Sequence, residues 1–170
     1  MFSEDAEIAP VAQQQGPFQQ LLKTLTFNVI FLHWRISTNN VSKKIGLVDS
    51  EKCTFCERET EKLVHFFWAC PKTQFFWLNF KVWLQSCQVI AKEIPLQPDT
   101  ALGLRPDSSK HELQINFCCL NAKCYIWLCR QKKCSPKLKD FLLYFKHIYE
   151  MEKTTTTIDL KKWKPLLLFF

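Results

Sequence analysis

Glycine is almost missing from this chain, with three residues in 170. That scarcity excludes a glycine-rich loop for cradling phosphates and argues against a turn-rich all-β architecture. There is no run of about 20 apolar residues, so no helix is expected to span a bilayer, and the closing PLLLFF is far too short. The opening MFSEDAEIAPVAQQQGPF is acidic and polar, without the basic start and apolar stretch of a secretory signal. Together these absences predict an intracellular chain, nuclear or cytoplasmic and not secreted, with its thiols reduced. No two aspartates are adjacent, and no Ser/His/Asp order, carboxylate pair or open metal site can be named. The expectation is a non-catalytic chain with no small-molecule substrate and no membrane partner.

What is abundant is aromatic and basic. Fifteen Phe, six Trp and three Tyr, within an apolar share of 47%, are ample for a packed core. The net charge of +7 is segregated. Residues 1–119 hold 12 basic and 12 acidic side chains, whereas residues 120–170 hold 11 and 4. A basic excess confined to one end fits a polyanionic partner or, equally, a solvated lysine face.

Periodicity and punctuation divide the chain into a flexible tail over 1–17, a first helical part over 18–93, a linker over 94–108 and a basic helical region over 109–170. Apolar residues recur at helical spacing from Phe18 to Ile36. Asn39 or Asn40 is placed to cap a short helix over 41–45 that Gly46 closes. Thr60 is a candidate cap for a helix carrying Leu63, Val64, Phe67 and Trp68. Pro71 suits the first turn of a helix reaching Gln88, with Phe75, Phe76, Leu78, Phe80, Val82 and Trp83 as its apolar positions. The prolines and glycine of IPLQPDTALGLRPDSS mark the linker. Ser108 or Ser109 opens a long helix to about Lys133, and a last helix runs from Pro136 to about Lys153.

The cysteine-rich stretch CTFCERETEKLVHFFWAC raises the question of function most directly. Its three cysteines and one histidine are metal ligands, disulfide partners or core residues. Nine cysteines, an odd number, fit a closed disulfide framework poorly. The spacing Cys53-x2-Cys56-x8-His65-x4-Cys70 lets two thiolates meet one ion from a tight turn. A helix ending near Ala69 then brings His65 and Cys70 to the same point. Three thiolates and an imidazole form a closed tetrahedral set that suits one structural Zn2+. Cys124, Cys129 and Cys134 are five apart and do not share a helical face, and they read, with Cys87, Cys118 and Cys119, as small core residues.

The segment TNNVSKKIGLVDSEKCTFCERETEKLVHFFWACPKTQFFW resembles the zinc-binding domain that follows the polymerase in non-LTR (LINE-type) retrotransposon reverse transcriptases. The resemblance rests on His33, Arg35, Thr38-Asn39, the four ligands, Glu59-Thr60, Phe66, Trp68 and Trp77. It extends more loosely through LNAKCYIWLCRQKKCSPKLKDFLLYFKHIYEMEK. It implies a mainly α fold, a helical domain with a small CCHC zinc knuckle followed by a C-terminal helical hairpin. It also implies a detached C-terminal piece without polymerase or endonuclease, whose family role is to hold template RNA.

On that basis the chain is expected to bind single-stranded RNA or DNA weakly. Phosphates would meet Lys43, Lys44, Lys52, Arg58, Lys132, Lys133, Lys161 and Lys162, and a base would stack on Phe55, taken as the exposed aromatic of the knuckle. Glu57, Glu59 and Glu61 beside it are expected to weaken that attraction. The alternatives are a zinc-stabilised protein-interaction module and a truncated mobile-element relic without selected function.

Overall fold

The computed structural model describes residues 36–89 and 110–154 together with Trp163 and Leu166. The tail over 1–17, almost all of the helix expected over 18–36, the linker over 94–108, Lys161 and Lys162 lie outside the described residues. The described elements are helical: α1 Asn39–Lys44, a π-helical turn His65–Ala69, α2 Pro71–Ser86, α3 Lys110–Gln131 and α4 Leu138–Lys153. The sole β pairing among them is an isolated bridge between Lys52 and Thr60. None of the described helices is long and apolar enough to cross a membrane.

α1 starts at Asn39, so its cap lies one residue before Asn39 and two before Asn40, the expected caps. Thr38, in extended conformation, occupies the cap position, and its carbonyl accepts from the Ser42 N–H at 2.8 Å. The Asn39 side chain is thereby released for tertiary contacts. Gly46 closes the helix as expected, with φ of 74°. The Leu47 N–H returns to the Ser42 carbonyl at 2.9 Å and the Gly46 N–H to the Lys43 carbonyl at 3.1 Å, a Schellman closure. Nothing lies within 4 Å of a Cβ built at Gly46, so the dihedral and not crowding calls for glycine.

Thr60 is not a helix cap. It pairs with Lys52 across the knuckle, and helical structure begins at Leu63. The chain then widens into the π turn, where the Cys70 N–H donates to the His65 carbonyl at 2.7 Å. Pro71 follows at the start of α2, where a missing N–H costs nothing. The Thr73 hydroxyl donates to the Phe66 carbonyl at 2.9 Å and the Trp77 indole N–H to the Phe67 carbonyl at 2.6 Å. Side chains of α2 thus satisfy two carbonyls at the wide turn and weld it to the helix.

α2 buries Thr73, Phe76, Trp77, Phe80, Trp83 and Leu84. Three expected apolar positions, Phe75, Leu78 and Val82, are instead exposed at 67%, 62% and 59%. The helix is apolar nearly all round, so periodicity alone marks two competing stripes. The buried stripe meets α4: ring centroids lie 5.5 Å apart for Phe80 and Phe141, 5.8 Å for Phe76 and Phe141, and 5.8 Å for Trp83 and Phe145. Tyr125 of α3 closes on Phe141 at 5.6 Å, and Trp163 on Phe145 at 4.8 Å. One continuous core therefore takes residues from both sides of the expected linker. The expected boundary at 94–108 lies outside the described residues, and the described parts of the two stretches pack together in space.

The remaining cysteines are core residues for the most part. Cys87, Cys118, Cys119, Cys124 and Cys129 are buried, while Cys134 is exposed past the end of α3. There Lys133 has a φ of 52°, and the Cys134 N–H reaches back to the Cys129 carbonyl at 3.0 Å. The same αL closure that glycine provides in α1 is provided here by lysine.

Candidate metal centre

The knuckle is drawn together by its own backbone. The Cys53 N–H donates to the Glu59 carbonyl at 2.8 Å, and the Glu57 N–H to the Cys53 carbonyl at 2.9 Å, with Glu57 at a φ of 58°. This reversal points the Cys53 and Cys56 side chains the same way. The π turn supplies the other two. In an α-helix a step of five residues rotates a side chain by about 140°. The wider turn from His65 to Cys70 removes that offset and puts both on one side.

The four ligand atoms of Cys53, Cys56, His65 and Cys70 all lie within 4.8 Å of one another. The Cys53 and Cys70 sulfurs are 3.8 Å apart, and the Cys56 sulfur is 3.4 Å from His65 Nε2. A tetrahedral zinc with ordinary bond lengths requires edges of about 3.8 Å between sulfurs and about 3.5 Å between sulfur and nitrogen. The donor set fits one zinc ion, which the four residues would hold through three sulfurs and the His65 imidazole. A closed set of this kind supplies structure, with no position left for a reacting water.

Backbone donors prepare the sulfurs for negative charge. The Phe55 N–H points at the Cys53 sulfur at 3.4 Å. The N–H groups of Lys72 and Thr73, in the first turn of α2, point at Cys70. The hydrogen bond from the Cys53 thiol pulls the Cys70 thiol down to about 5, and these N–H groups help against the opposing effect of burial. The same contact, with burial, pushes Cys53 up. Both shifts describe one proton held between two sulfurs, the place a cation takes over.

Behind the ligands lies a buried carboxylate. Glu61 is fully enclosed; burial raises its pKa, but its hydrogen bonds outweigh that and the net shift is downward. Its Oε2 accepts from the Thr54 N–H and hydroxyl, both at 2.7 Å. Its Oε1 accepts from the Asn39 N–H at 2.9 Å and from Arg130 Nε at 2.8 Å. Arg130 Nη2 also reaches Asn39 Oδ1 at 2.8 Å, and Asn39 Nδ2 donates to the Lys52 carbonyl at 2.7 Å. The Arg130 guanidinium lies 4.8 Å from the Trp127 ring centroid and 5.8 Å from that of Phe66. Sequence reasoning treated Glu61 as a surface charge and gave Arg130 no role. A contact across 69 residues has no local signature.

The basic candidates within the described residues, Lys43, Lys44, Lys52, Arg58, Lys132 and Lys133, are all exposed. Phe55 corrects the sequence reading. It is 9% exposed and stacks on Phe66 with centroids 5.0 Å apart. Its ring lies against the π turn because that is the nearest apolar surface to the knuckle, and its face is not free for a base.

Residues 17–77 match the family described as zinc-binding in reverse transcriptase. The match takes in all four ligands and the start of α2. No curated protein and no solved structure matches the chain.

Proposed function

On the premise that residues 17–77 carry the zinc-binding domain of reverse transcriptases, we propose that the chain binds single-stranded nucleic acid. Binding is weak, shows little sequence preference and runs through backbone phosphates; the chain performs no chemistry on the strand. One observation supports this most. Arg130 pairs with Glu61 and Asn39, which sets the end of α3, followed by Lys132 and Lys133, beside α1, which carries Lys43 and Lys44. The contact is made at the start of α1, and the exposed lysines of both segments support a shared basic surface in this reading. The pairing also removes Glu61 from the acidic residues that would repel a strand.

Titration with salt on a single-stranded RNA tests this. Neutralising four or five phosphates gives a log–log slope of about −3. Replacing Lys43, Lys44, Lys132 and Lys133 together with Ala should bring the slope close to zero. An absence of binding at low salt, or an unchanged slope in the variant, overturns the proposal.

A second reading rests on the stripe of Phe75, Leu78 and Val82, which α2 leaves exposed at i, i+3 and i+7. This favours a zinc-stabilised module that docks an apolar partner surface. It predicts that Phe75→Ser/Leu78→Ser abolishes partner capture while the salt titration shows no binding at all.

A further inference from the structure

Zinc ligands are often held by an outer ring of hydrogen bonds that fixes their orientation. In this chain that ring is not confined to the knuckle. Thr54 lies between Cys53 and Cys56, and both its N–H and its hydroxyl end on Glu61 Oε2. Glu61 is in turn fixed by Arg130, which arrives from the last turn of α3. The same guanidinium faces Phe66, the residue after His65, and Phe66 stacks on Phe55, which lies between the two knuckle cysteines. One side chain from the C-terminal half thus touches both halves of the ligand set, through a carboxylate on one side and an aromatic pair on the other.

We propose that Arg130 and Glu61 are positioning residues for the zinc site, and that they couple the docking of α3 to metal binding. Neither ligates the ion. Glu61 holds the Cys53–Cys56 loop in the geometry the ion needs, and Arg130 holds Glu61 there. Without Arg130 a buried carboxylate has lost its counter-charge, so it must find water by opening the loop. The reverse also holds, because coupling between two equilibria is reciprocal. Loss of zinc loosens Thr54, frees Glu61 and weakens the grip on the end of α3. The basic residues that follow Arg130 are then no longer held beside α1. Arginine is required for its fork, since Nε and Nη2 serve Glu61 and Asn39 together while the guanidinium carbon sits over the Trp127 and Phe66 rings. The inference rests on the zinc site alone and stands whether or not the chain binds nucleic acid.

Competition for zinc against a chromophoric chelator, using the full chain, tests the coupling. Arg130→Met and Glu61→Gln should each weaken zinc binding by about tenfold or more, the scale of other outer-ring losses. Arg130→Lys, which keeps the charge and serves if Arg130→Met does not fold, should show a smaller but measurable loss. Phe145→Leu is the control, because that ring packs against Phe141 and Trp163 instead of the knuckle. It should lower global stability and leave zinc affinity within about twofold of the wild type. Zinc affinity unchanged in Arg130→Met, Arg130→Lys and Glu61→Gln overturns the proposal, as does an equal loss in Phe145→Leu. Amide exchange gives a second readout. Removing zinc from the wild type should speed exchange over residues 124–131 as well as in the knuckle, and exchange there that ignores zinc contradicts the coupling.

Discussion

The N–H of Cys70 donates to the carbonyl of His65 at 2.7 Å, a backbone step that makes neighbours of two side chains five residues apart. The step is costly as helix geometry, since π turns are rare and concentrate where function needs them. Its return is a ligand pair set against the two cysteines of the knuckle, with Pro71 and the first N–H groups of α2 immediately behind. The metal, once bound, ties this turn to the Cys53–Cys56 loop.

The first prediction concerns the shared core. Phe141 is fully buried and touches Phe76, Phe80, Trp83 and Tyr125. Phe141→Ala should cost about 3–5 kcal/mol. Urea unfolding followed by probes in the knuckle and in α4 should remain a single transition. Phe75→Ser, on the exposed side of α2, should shift stability by about 0.5 kcal/mol or less. Two separate transitions in the wild type would contradict the single core.

Phe55 provides the second. Its ring is part of the packing behind the ligands, so Phe55→Ala should weaken zinc retention and lower stability by about 3 kcal/mol. With zinc saturating, affinity for single-stranded RNA should stay unchanged. A loss of RNA affinity in the zinc-loaded variant would restore this residue as a stacking surface.

Lys123 gives a prediction in pH. It is 2% exposed, and burial lowers its amine from 10.5 to about 8. Between these values the unfolded chain binds more protons than the folded one, so folding gains stability as pH rises through that window. Below about pH 8 the buried ammonium costs about 3 kcal/mol. Lys123→Met should therefore be more stable than the wild type at pH 7, with the advantage disappearing by about pH 10.5. Denaturant midpoints of both proteins across that range check this, and a pH-independent difference contradicts it.

Much of the architecture was legible because punctuation is strong where the elements end. Gly46 closes α1, Pro71 opens α2, and Cys134-Ser135-Pro136 separates α3 from α4. The ligand set was legible because cysteine and histidine at those spacings have few other uses in a chain whose nine cysteines fit a closed disulfide framework poorly. The buried face of α2 was not, since Phe75, Leu78 and Val82 make as good a stripe as Phe76, Phe80 and Trp83. Burial of Phe55 depended on where Phe66 would lie, which the π turn decides. The tie between Glu61 and Arg130 depended on the fold itself, because each residue alone reads as an ordinary surface charge.

Metal content of the purified chain by native mass spectrometry tests the central claim most directly. The wild type should carry one zinc per chain, and Cys53→Ser/Cys70→Ser should carry none while its mass otherwise differs only by the substitutions. A wild type without zinc, or a double variant that retains it, would contradict the assignment of Cys53, Cys56, His65 and Cys70 as a structural metal site.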